Sequence, residues 1–205
     1  MPQAPSVKGA VFSGVAEDIK KLFERGDLSR DAAGRWLTAD DLALLDTHIA
    51  IASWYDIGAF NRFSELLRDV VGDGSNEYLE QIGRESAKRL LEAGLYSQLE
   101  YLQRTRVAEE TVSHARHEAF GRDLRRLTTM SNSIYNFSTW TAMPDPENEL
   151  RYLIEVTDAA SMSDVICWRA TGFVNEMAAR HGDPNLWAWE RIAREVVVFR
   201  MMLDL

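Results

Sequence analysis

The hydrophobic positions of this chain repeat with a helical period up to about residue 130 and alternate as strands do for much of the remainder. Val11, Val15, Ile19, Leu22 and Phe23 lie on one helical face, and Gly26 comes next as a stop, which predicts a helix over 11–23. Thr38 and Asp41 have capping-box spacing, with Asp in place of the usual Glu or Gln, and the apolar run 42–45 continues from them as a short helix. Residues 49–55 are apolar but brief. Asp56 can then cap a helix that carries Ile57, Phe60, Phe63, Leu66, Leu67, Val70 and Val71 as far as Gly72. A turn cluster at 73–76 leads to a further helix lined by Leu79, Ile82, Ala87, Leu90 and Leu91, which Gly94 should end. A long, less amphipathic helical region spans about 95–127, with a break expected at Gly121.

From Asn132 the pattern changes. Residues 133–141 are rich in aromatic and hydroxyl side chains, and Leu150, Tyr152, Ile154 and Val156 alternate with mostly polar neighbours, which predicts two strands joined by the proline-containing turn 143–148. Ser161 and Asp164 again have capping-box spacing. Met162, Ile166, Ala170, Phe173 and Met177 form one stripe of the next helix, and residues 181–184 should close it. Residues 186–192 and 196–203 read as a final hairpin, with Trp187 and Trp189 on one side and Val197, Phe199 and Met201 sharing a side. The expectation is a single α+β domain over 7–205: a helical part, 7–130, succeeded by a ββαββ antiparallel-sheet module, 131–205, with residues 1–6 and 143–148 as linker-like segments.

Composition narrows the function. At 205 residues, 46% hydrophobic and 27% charged, the chain has the make-up of an ordinary globular domain, and its longest apolar runs are far too short for a membrane helix. Its formal charge of −9 argues against nucleic acid as a partner, since phosphate backbones are held by clustered Lys and Arg. The N-terminus lacks the basic start and apolar stretch of a secretory signal, and the one cysteine, Cys167, agrees with a reducing compartment; both point to a cytoplasmic location. Between Ile166 and Trp168, Cys167 reads as a small buried hydrophobe and not as a nucleophile.

Only four histidines are available for chemistry. Glu110, His114 and His117 are spaced four and three along the long helix, so they share a face and could hold a divalent metal; the arginines around them also fit a solvated charged face. His48 reads as a connector residue and His181 as a helix-end residue. The paired acids Asp40-Asp41 and Glu109-Glu110 point apart on their helices, and no phosphate loop, nucleophile elbow or His-Glu-x-x-His motif is present. Trp140, Trp168, Trp187 and Trp189 concentrate in the last third, as core packing or as the wall of an apolar pocket or dimer face.

The layout, together with Trp54-Tyr55-Asp56-Ile57-Gly58-Ala59-Phe60 leading into one helix and Gln81-Ile82-Gly83 in the next, resembles the superfamily that joins haem nitric-oxide-binding domains, 4-vinyl-reductase-type small-molecule domains and certain vesicle-tethering subunits. Within it the likeness is to bacterial relatives that begin with a short Lys-Gly helix, as Lys8-Gly9 does here. The haem-binding branch implies an iron-ligating histidine on the long helix, His114 or His117, and a Tyr-x-Ser-x-Arg clamp for the propionates. Its counterpart here is Tyr135-Asn136-Phe137-Ser138-Thr139, with Phe137 and Thr139 in place of the Ser and Arg. The resemblance implies a sensor or scaffold more than a catalyst. The expected function is therefore a non-enzymatic signalling or regulatory domain, without a cofactor, that binds a small apolar ligand or a protein partner and forms a homo-oligomer. The alternative is a haem or divalent-metal sensor using His114, His117 and Glu110.

Overall fold

The computed structural model describes residues 4–92, 109–179 and 185–204, and the side chains of all of these except 90, 91 and 109–116. The chain opens with a short strand, β1 (Ser6–Lys8), that runs directly into α1 (Gly9–Arg25). Phe12, Val15, Ala16, Ile19 and Leu22 are the buried face of α1, and Gly26 stops it in a left-handed conformation, φ 75°, donating its N–H to the Leu22 and Phe23 carbonyls. Two short helices come next, α2 (Arg30–Ala33) and α3 (Ala39–Leu45). The capping box of α3 forms with both of its hydrogen bonds, the Asp41 side chain accepting from the Thr38 N–H and the Thr38 hydroxyl from the Asp41 N–H.

A second strand, β2 (Trp54–Asp56), pairs antiparallel with β1, Ser6 opposite Asp56 and Lys8 opposite Trp54. The expectation of a linker over 1–6 is corrected for its last residues, because Ser6 belongs to this small sheet. A three-residue strand is too short to display alternation, so the pairing has no periodic signal. Asp56 caps α4 (Ile57–Val70), accepting from the Ala59 N–H at 2.8 Å. After it comes α5 (Asn76–Glu92), and the long α6 (Glu109–Ile134) passes through Gly121 without a break. A Cβ at Gly121 would overlap the Tyr152 hydroxyl, so this glycine makes room for a tyrosine instead of ending a helix.

Because α6 continues to Ile134, the first sheet strand starts later than expected: β3 is Thr139–Asp145 and β4 Asn148–Thr157. The turn between them is confined to Pro146 and Glu147, since Met143, Pro144 and Asp145 pair within the sheet instead of forming a linker. The residues between α6 and β3 go to the N-terminus. Ser6 donates its N–H to Asn136 Oδ1 at 2.6 Å, Asn136 returns its N–H to the Ser6 carbonyl at 3.2 Å, and Val7 bridges to Tyr135. A single 3₁₀ turn, Ala159–Ser161, leads to α7 (Asp164–Ala179), and the chain closes with β5 (Trp187–Ala193) and β6 (Val196–Met201). The expected capping box at Ser161 is absent, since Ser161 ends the 3₁₀ turn; Ser163 lies next to the helix and donates its hydroxyl to Asn61 Oδ1 at 2.8 Å. The expected helix closure at 181–184 falls outside the described residues.

The four C-terminal strands form one antiparallel sheet in the order β3-β4-β6-β5. With helices preceding it, the molecule is of the α+β class, with seven α-helices and six strands among the described residues. Pro144 lies in edge strand β3, where a missing N–H is tolerated. Trp140, Ile154, Val156, Val197, Phe199 and Trp187 are buried and join the same core cluster as α1, α4, α6 and α7. The helix α7 does more than lay one stripe on the sheet: Val165, Thr171 and Gly172 are buried as well as Ile166, Val174 and Met177. Its second contact is with α5, where Gly83 meets the Arg169 carbonyl and Gly172 meets the Glu80 carbonyl, so closely that a Cβ at either would overlap backbone. No helix among the described residues is long and apolar enough to cross a membrane.

Candidate ligand-binding recess

Of the three residues expected to ligate a metal or haem, Glu110 and His114 have side chains outside the described set, and His181 lies outside it altogether. His117 points at the sheet. Its ring stacks on Tyr152 with centroids 4.5 Å apart, and the Tyr152 hydroxyl is 3.3 Å from both His117 Nδ1 and the His117 carbonyl oxygen. Phe120 meets the same tyrosine edge-on. Among the described residues no group of three His, Cys, Asp or Glu side chains converges as a metal site would require. His48 is exposed in the connector after α3.

Cys167 is fully buried, and burial pushes its thiol up to about 12 despite the Arg191 guanidinium, whose Nη2 is 4.0 Å from the sulfur. It stays protonated at neutral pH and is a core residue. Trp140 stacks between Tyr135 and Phe199, and Trp168 meets Trp189 edge-on at 5.6 Å, so these indoles pack the space beneath the sheet.

The distinctive polar group of the interior is Arg169. It comes from the middle of α7, which points it into the junction of α1, α4, α5 and the end of α6. The guanidinium carbon lies 5.0 Å from the centre of the Phe60 ring, and Nη1 donates to Ser64 Oγ at 3.5 Å, the outer limit of a hydrogen bond. No carboxylate of the described residues lies within ion-pair distance of it. The acid whose charge reaches it is Asp18 of α1, which is held by Lys21 at 2.9 Å.

Arg169 and Tyr135 share a further property. Each is half-buried, keeping solvent-accessible surface while it packs against neighbouring elements. Burial pushes the Arg169 guanidinium below its ordinary value and the Tyr135 phenol up to about 12, the latter even though Arg169 acts to lower it. Tyr78 of α5 completes the polar set, its phenol also raised by burial. The accessible apolar surface beside these groups is that of Tyr135 and Phe137, backed by the buried rings of Phe60 and Trp140.

No family model, curated protein or solved structure matches this chain.

The site therefore rests on its own geometry. Sequence reasoning passed over Arg169, although a signal exists: 165–174 reads Val-Ile-Cys-Trp-Arg-Ala-Thr-Gly-Phe-Val, a single cation in the middle of a helix that is otherwise apolar or small on every side. An arginine there must be either paired or put to use.

Proposed function

We propose that this chain is a small-molecule-binding regulatory domain whose ligand occupies a recess bounded by Tyr78, Tyr135, Phe137 and Arg169. The observation that carries the reading is the accessible surface kept by Arg169 and Tyr135 where α4, α7 and the segment after α6 meet. An aromatic wall with a few convergent polar groups is the usual make-up of a ligand pocket.

Recognition, not turnover, suits these groups. Both phenols and the neighbouring thiol are pushed up by burial and keep their protons at neutral pH, and an arginine guanidinium does not give up its proton in proteins, so none of them can act as a general base there. The Asp18 carboxylate is engaged by Lys21.

The test is a thermal-unfolding screen with apolar probes, neutral (benzamide, indole, octanamide) and acidic (benzoate, octanoate), each to about 1 mM, the weak end of measurable affinity. A saturable rise in the unfolding temperature with at least one probe, matched by quenching of tryptophan fluorescence from Trp140 beside the recess, is the expected outcome. No saturable response from any probe, with or without an acidic group, would overturn the reading.

A further inference from the structure

We infer that the ligand carries a carboxylate, held by the forked N–H groups of Arg169, on an apolar body that lies against Tyr135 and Phe137. The inference rests on the recess being the binding site and adds the chemical class of its occupant.

A guanidinium half-buried against an aromatic ring loses part of its hydration, and folds that hold one there commonly pair it with a carboxylate. Arg169 has no such partner among the described residues, and of its N–H donors only one reaches an acceptor there, Ser64 Oγ, at 3.5 Å. Arg169 keeps accessible surface, so an incoming group can reach it. Around it, α1 offers Asp18, already bound to Lys21; α5 offers Tyr78 and Arg89; the segment after α6 offers Tyr135; and α7 itself offers Cys167. The only anion of that set is thus turned to another cation, while Arg89 adds positive charge. The locale carries an excess of positive charge.

Geometry selects among anions. The fork of an arginine matches the two oxygens of a carboxylate, and Arg169 is the one half-buried cation of the set, Arg89 being exposed on α5, so a single negative charge is the closer match. Because Phe60 covers one face of the guanidinium, the incoming group must approach in the plane of the fork. The Tyr135–Trp140 stack, 6.0 Å between centroids and 17° from parallel, offers a flat apolar surface for the remainder of the ligand.

Matched pairs of probes test this: benzoate with benzamide, 3-phenylpropionate with its amide, and octanoate with octanamide, titrated calorimetrically at pH 7 into the full chain and into Arg169→Met. The expected result is that at least one acid binds about tenfold to a hundredfold more tightly than its amide, and that the preference disappears in Arg169→Met while amide affinity is unchanged. Amides that bind as tightly as acids, or an acid preference that survives in Arg169→Met, would sink the carboxylate while leaving the recess as an apolar-ligand site. Failure of both acids and amides to bind removes the site itself. Should Arg169→Met not fold, Arg169→Lys keeps the cation and loses the fork. Its acid preference should then fall with amide binding intact, and a preference equal to that of the wild type would refute the forked contact.

Discussion

Glycines show at the residue scale how one residue type can serve opposite ends in this molecule. Gly14 sits within α1 with nothing within 4 Å of where a Cβ would be, so it serves no close approach and only weakens the helix. Gly14→Ala should raise stability by about 0.5–1 kcal/mol. Gly83 and Gly172 are where α5 and α7 touch backbone to backbone. Gly83→Ala or Gly172→Ala should cost about 2–3 kcal/mol, because the two helices must part to admit a methyl group. Urea unfolding midpoints check both signs, and a neutral Gly83→Ala would mean that the helices do not cross this closely. In the sequence the three glycines look alike. What separates them is a neighbour more than eighty residues away, so the distinction was not legible, whereas the Thr38–Asp41 box and the Asp56 cap were, because each is a contact within one turn of chain. Arg169 lies between these cases: its oddity is visible in the apolar run around it, but its want of a partner is a fact of five converging segments.

At the scale of elements, the two edge strands of the sheet are finished in the same way. The backbone of Trp140 in β3 is clasped by the Asn132 side chain of α6, which accepts its N–H at 2.7 Å and donates to its carbonyl at 3.0 Å. On the opposite edge Asn175 of α7 does the same for Trp187 of β5, at 2.8 and 3.2 Å. Each amide supplies the donor and acceptor that a further strand would have supplied, and so fixes a helix against the edge and satisfies it at once. Their environments differ, and so should their mutants. Asn175 is buried, so Asn175→Ala strands a donor and an acceptor away from water and should cost about 1–3 kcal/mol. Asn132 is exposed, so water can replace its amide and Asn132→Ala should cost under about 1 kcal/mol. Chemical unfolding of the pair gives the comparison, and equal losses would count against the clasp as the cause. Element order, and the inward alternation of Trp187, Trp189, Val197, Phe199 and Met201, could be read from period-two patterning. The placement of β6 next to β4 could not, because either strand of a hairpin can take the inner position.

The whole molecule is bound by charge as well as by its core, and the two bonds can be tested together. Asp41 joins α3 to α4 through Arg62, at 2.6 and 2.8 Å, and Asp145 joins β3 to β6 through Arg200, at 2.8 and 2.7 Å. Burial alone would raise both carboxyls. At Asp41 the hydrogen bonds from Arg62 and Thr38 outweigh it, and at Asp145 the Glu147 N–H and Arg200 do, so both titrate below the ordinary range. A carboxyl depressed in the folded state stabilises the fold in full above the ordinary Asp value of about 3.9. That contribution is lost as the pH falls from there through the depressed value. One pair lies in the helical part and the other in the sheet, yet α1, α4, α6, α7 and the sheet share a single apolar cluster, and Ser6 ties β1 to the end of α6. Protonation of either carboxyl should therefore weaken the same cooperative unit. Acid unfolding should appear below about pH 4 as one transition, coincident in tryptophan fluorescence and in far-ultraviolet circular dichroism. Asp145→Asn keeps an acceptor for the Glu147 N–H but gives up the ion pair, so it should lower stability at pH 7 and flatten its decline towards acid. If the helical part behaved as a separate unit, Asp145→Asn would move only the part of the transition that reports on the sheet, and the two probes would come apart.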